Sequence, residues 1–160
     1  MPIDELKNYR YRGARALVLL HAEALRAFLP VWQSAKAAQV RLPPSKDPSY
    51  ASLETLLHHA LWVARNYLVW LCEKLGLPDP GIQPLPEVSS VEREAPGYVQ
   101  HLLERWRLPL ADVEGSRFSA VHKSGWGEDI SLESMLEHTV IHLHRHRFQL
   151  EELLEAQGRK

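Results

Sequence analysis

Cysteine is nearly absent from this chain: Cys72 stands alone among 160 residues. One thiol excludes an internal disulfide and a cysteine-based metal cluster. Charge of one sign is missing as well, because 19 Lys and Arg balance 20 Asp and Glu for a net charge of −1 with the histidines neutral. That balance gives no basic footprint for nucleic acid or for an anionic membrane. The apolar runs fall far short of a transmembrane span, and the start MPIDELKNYR lacks the form of a signal peptide. The expectation is a cytoplasmic protein with no nucleic-acid partner and no membrane partner. Period-two strand patterns, internal repeats and low-complexity tracts are lacking too. So are a Ser-His-Asp arrangement, a phosphate-cradling loop and a dinucleotide fingerprint.

What the chain does have is 45% apolar residues, enough at this length for one domain with a real core. It also has nine histidines, four of them in one stretch, Ser131 to Ala156, SLESMLEHTVIHLHRHRFQLEELLEA. This stretch has no Pro or Gly, and Leu132, Met135, Leu136, Leu143, Leu150, Leu153 and Leu154 recur at helical spacing. Asp129 or Ser131 can cap its start, with Glu133 in the first turn. At about 100° per residue, with Leu132 and Leu150 marking the core direction, His146 lies about 40° off that direction and His142 about 80° off. His138 lies about 120° off, and His144 points to solvent. His142 and His146 thus form an i, i+4 pair at the edge of the buried face, a geometry that lets two imidazoles share one metal ion. The same spacing also occurs on plain surface helices.

The first helical pattern runs from about Ile3 to Ala38, with Leu6, Ala16, Leu17, Leu20, Ala24 and Phe28 on its inner face. Pro30 should kink it or split it. His21 near that face is either a satisfied core histidine or a ligand or pocket residue. Arg41 to Asp47, with Pro43 and Pro44, is a linker. A second helix starts at Ser49 or Ser52 and runs to about Gly76, a natural C-cap. Its inner face carries Leu53, Leu56, Ala60, Val63, Tyr67 and Trp70. His59 lies at the edge of that face and His58 points outward, so His59 is the better third ligand, although both could be surface histidines. Cys72 lies away from the inner face, with no neighbour to activate it, and reads as structural.

Leu77 to Pro96, rich in Pro, reads as a long crossover of the kind that lets two successive helices of a bundle run in the same direction. A third helix follows from about Gly97 to Val113, bent near Pro109, with His101 exposed. Glu114 to Ile130 reads as a short β-ribbon or an ordered loop over the end of the helices, of the kind that often lines a pocket. Trp126 in it covers the mouth of a site or simply packs on the helices. Four helical segments without strands predict an all-α four-helix bundle. Three His and an open position describe a catalytic zinc-type site. No Glu-x-x-His pair on two helices supports a di-iron site, and Glu137 points away from the His142/His146 edge.

The run MLEHTVIHLHRHRFQLEELL, together with LETLLHH, resembles the DinB/YfiT-like superfamily of metal-dependent enzymes. In that family the second helix supplies one His and the last helix two more, in a pattern like H-x-x-x-H-x-x-Q. The resemblance implies His59, His142 and His146 as ligands, with Gln149 as the following Gln and His138 beside the site. Many members read His-Arg-Gly-Gln where Phe148 here takes the Gly position, and the His58–His59 doublet leaves the second-helix ligand open by one residue. The resemblance further implies a single domain over residues 1–160, an up-down-down-up bundle, a homodimer, and zinc or nickel as the divalent metal ion. Characterised relatives use low-molecular-weight thiols, so the expected function is a thiol-dependent S-transferase or a hydrolase acting on a small-molecule substrate. Arg145, His138 and Gln149 are candidates for orienting that substrate or for contacts behind the ligands, and each could equally be a solvated helix residue. The competing reading is a non-enzymatic dimeric binding or stress-response bundle with a structural or vacant metal site. Ile141 and Phe148, apolar yet facing away from the core, would pack on another helix or on a second subunit.

Overall fold

The computed structural model describes residues 6–158. It is mostly helical, with α1 at Arg12–Ala37, α2 at Leu53–Lys74, α3 at Val91–Trp106 and α4 at Leu132–Gly158. A two-stranded antiparallel ribbon, β1 at Val121–Lys123 and β2 at Asp129–Ser131, precedes α4. Of the two readings of that connector, the ribbon is the one adopted, with a short 3-10 turn at Gly115–Ser119 that buries Phe118. Helices α1 and α2 each pack on both α4 and α3, and they also touch one another. No helix among the described residues is long and apolar enough to cross a membrane.

Helix ends follow local chemistry closely. Ser52, not Ser49, caps α2, and its hydroxyl accepts from Thr55 N at 3.0 Å while Thr55 Oγ1 accepts from Ser52 N at 2.9 Å. This reciprocal pair satisfies two of the amides that an α-helix start leaves open. At the other end Gly76 adopts φ +67, Leu77 N donates to Cys72 O at 2.8 Å, and Gly76 N donates to Glu73 O at 3.1 Å. That is the Schellman closure that a left-handed residue makes possible. Ser131 caps α4 through Ser134 N at 3.0 Å, while Asp129 pairs with Lys123 across the ribbon at 2.9 Å.

Several expectations from periodicity are corrected. Helix α1 starts at Arg12, because Leu6 takes a left-handed φ of +57 and Arg10 N donates to Ala111 O at 2.9 Å, outside any helix. The expected start at Ile3 lies outside the described residues. Pro30 does not split α1: Phe28, Leu29 and Trp32 around it are buried, and their packing holds the turn despite the lost hydrogen bond. The inner face of α1 is Ala14, Val18, His21, Leu25, Phe28 and Trp32, while Ala16 and Leu20 are exposed. Cys72 sits on a buried face of α2 rather than away from the core, because α2 packs against both α3 and α4 and buries a wide sector. Burial pushes its thiol up to about 11, in keeping with an inert structural role. Helix α3 starts at Val91 instead of Gly97 and ends at Trp106 instead of Val113. Acidic Glu92 and Glu94 suit a helix start, and Pro96 near that start removes a single donor.

Candidate metal centre

Helices α2 and α4 pack together, and the contact places His59 of α2 opposite His142 and His146 of α4. His59 Nε2 lies 3.0 Å from His142 Nε2, and His146 Nε2 lies 3.1 Å from the same atom. One ligand atom from each of the three falls within 4.8 Å of those of the other two. Nitrogens about 2.0–2.1 Å from a tetrahedral ion sit about 3.3–3.4 Å apart, so two of these spacings need to open by only a few tenths of an ångström. His142 and His146 are buried, and His59 is half-buried.

The electrostatics favour neutral imidazoles. Burial is the first cause that lowers His142, and the neighbouring charges of His146, His59, Arg145 and His138 add to it. His146 is lowered by burial against an opposing hydrogen bond to Gln149, and His59 is lowered by burial against the opposing charge of Asp47. A neutral ring keeps a lone pair for a cation, so depressed basicity and ligand function go together.

Around the three rings stand residues that periodicity does not reveal. The linker ends in a 3-10 turn, Pro48–Tyr50, fastened by Asp47 Oδ1, which accepts from Ser49 N at 2.9 Å and from Ser49 Oγ at 2.6 Å. This turn brings the Tyr50 ring to 5.8 Å from the His146 ring and the Tyr50 hydroxyl to 3.3 Å from Gln149 Oε1. Gln149 Oε1 in turn lies 2.9 Å from His146 Nδ1. Asp47 is also the acid whose charge reaches His59 and His146, whereas Glu137 is exposed. A Pro-Pro linker that turns through Asp-Pro-Ser was the available signal for this segment, but nothing local says which helix it touches.

The remaining candidates separate by position. His138 is half-buried beside the centre, its ring 6.2 Å from His142, 5.6 Å from Tyr67 and 5.5 Å from Trp126. Trp126 is 46% exposed and leans on Tyr67 and His138, so it packs at the rim. Arg145 is exposed, and its charge acts on His59, His138, His142 and His146. His58 is half-buried and outside the cluster. His144 is half-buried against Phe148 at 6.0 Å instead of pointing freely to solvent. His101 is also half-buried, accepting from Gln83 N at 2.9 Å. His21 is fully buried far along α1 against Trp106, at 4.2 Å between rings, and neither of its nitrogens has a partner among the described residues. It is a core histidine, but not a satisfied one. A cavity of about 430 Å³ opens next to Tyr50 and Gln149, walled by Leu42, Pro43, Pro44 and Leu153.

Set against protein-family models, curated proteins and solved structures, the chain matches none of them.

Proposed function

We propose that this chain is a divalent-metal-dependent enzyme acting on a small molecule, most simply a thiol-dependent S-transferase or a hydrolase. The observation that carries this reading is the convergence of three neutral imidazoles, His59, His142 and His146, through their Nε2 atoms. Three protein ligands leave a position open, which is the form of a catalytic rather than a structural zinc-type site. Zinc or nickel suits an all-imidazole donor set. Such an ion, when bound, lowers the pKa of water or of a low-molecular-weight thiol beside it, so that a nucleophile exists at neutral pH. The chain's own residues then have distinct tasks. The three rings bind, Gln149 and Tyr50 stand behind His146, and Trp126, Tyr67 and His138 wall the approach. Exposed Arg145 supplies a positive charge that would orient an anionic group of the substrate.

The same reading takes residues 1–160 as one DinB/YfiT-like domain, an up-down-down-up bundle with the crossover between α2 and α3. What supports it is the ring of helix contacts, α1 with α4, α4 with α2, α2 with α3 and α3 with α1. The cytoplasm is the proposed location.

Elemental analysis of the purified, untagged chain tests the metal reading directly. About one divalent ion per chain is expected, lost in a His59→Ala/His146→Ala double variant that stays folded. No metal in either protein after reconstitution with zinc and nickel would overturn it. A second reading rests on Ile141, 59% exposed, and Phe148, 50% exposed, on the outer side of α4. They support a homodimer, whether enzyme or non-enzymatic binding protein, and a monomer by light scattering would sink that part.

A further inference from the structure

The three histidines differ in what holds their outer nitrogens. His146 Nδ1 is 2.9 Å from Gln149 Oε1, and the Tyr50 hydroxyl donates to that same oxygen at 3.3 Å. An amide oxygen has two lone pairs and no proton, so it takes both bonds only if Nδ1 carries hydrogen. Neutral imidazole has one N–H, and its Nε2 is then bare. His142 has no such support, because its buried Nδ1 has no hydrogen-bond partner among the described residues. Yet both short Nε2 contacts, 3.0 Å to His59 and 3.1 Å to His146, converge on His142 Nε2.

We propose that Gln149, backed by Tyr50, is a positioning residue that locks His146 with its lone pair on Nε2, a lock that His142 lacks. The proposal rests on the metal-centre reading. His146 is then the anchoring ligand, presented before any ion binds. The opposite orientation of the Gln149 amide would place its NH₂ group against Nδ1 and force the ring proton onto Nε2, where it blocks a cation.

The test is a long-range proton–nitrogen correlation spectrum of the full chain, metal-free and labelled with ¹⁵N-histidine, assigned with His142→Ala and His146→Ala. The expected His146 signals are a protonated Nδ1 and a lone-pair Nε2. Gln149→Leu should lose that preference and weaken zinc binding, read by chelator competition, by about 10–100-fold. Gln149→Glu, which keeps an acceptor, should restore the tautomer and most of the affinity, and Tyr50→Phe should show a smaller loss. If the Leu variant does not fold, the Glu and Phe variants carry the comparison. A protonated Nε2 on His146 in the metal-free wild type overturns the proposal. So does unchanged zinc affinity in Gln149→Leu. Wild-type protein with the expected tautomer but no zinc binding would instead overturn the metal reading while leaving the lock in place.

Discussion

Replacing His21 with Leu should raise stability, and should raise it more as the pH falls. The ring is 1% exposed, lies tilted by 39° against Trp106, and leaves both nitrogens unpaired among the described residues. An unsatisfied buried polar group costs about 1–3 kcal/mol, against about 0.5–1.5 kcal/mol returned by an aromatic pair. Leu has nearly the same volume and no polar atom, so a net gain of about 1 kcal/mol is expected near neutral pH. The pH dependence is sharper. Burial lowers His21 from 6.5 to about 3. Below its ordinary value the unfolded chain takes up a proton that the folded chain refuses, so this stability is present above pH 6.5 and is lost as the pH falls toward about 3.

At about pH 5 the gap is about 1.5 pH units, or about 2 kcal/mol, and it approaches about 5 kcal/mol if the pH falls to 3. Urea unfolding of the two proteins at about pH 7.5 and about pH 5 reads this as a double difference. His142 and His146 also lose stability in acid, but they do so equally in both proteins and cancel. With a urea slope of about 2 kcal/mol/M, the wild-type midpoint should fall about 1 M further than that of the Leu variant. Equal falls in the two proteins would refute the reasoning, because they would mean that native His21 accepts a proton as readily as the unfolded chain does.

Three further outcomes follow from the same structure. Zinc at about 100 times its dissociation constant should stabilise the chain by about 2.7 kcal/mol in a thermal melt, and EDTA should reverse the shift; His142→Ala, which removes the nitrogen nearest to both other ligands, should abolish it. Ser52→Ala removes one half of the reciprocal cap on α2 and should cost about 1 kcal/mol by urea unfolding, with no change in the slope. Gly76→Ala forces a side chain into φ +67 and should cost about 1–2 kcal/mol even though nothing lies within 4 Å of the added carbon, so a neutral result would rule out strain as the reason for glycine there.

Much of the fold and part of the candidate site are legible in the sequence. The i, i+4 spacing of His142 and His146, read against Leu132 and Leu150, puts two imidazoles at one edge of a helix, and that is where α4 carries them. The caps at Ser52, Gly76 and Ser131 are equally local, since each depends on bonds to residues within a turn. Errors arise where two surfaces compete for one helix. Cys72 looked peripheral on a wheel drawn with one inner face, but α2 touches both α3 and α4. Leu20 looked internal on α1, but the true face is turned toward Val18 and His21, and Leu20 is 44% exposed. An apolar count fixes that a helix buries a stripe; which stripe depends on the neighbours.

Sequence by itself therefore determined the helical class, the order of the four helices, the Gly76 cap and the pair of histidines on α4, and narrowed the starts of α2 and α4 to two residues each, because these follow from propensity and spacing over a few residues. Periodicity already favoured His59 over His58; only the tertiary structure decided that Tyr50 reaches Gln149 and that His21 is sealed in with no partner among the described residues. Each of these depends on the rotation of one helix against another or on the path of a linker across 96 or more residues of separation. Periodicity along a single helix carries no information about either.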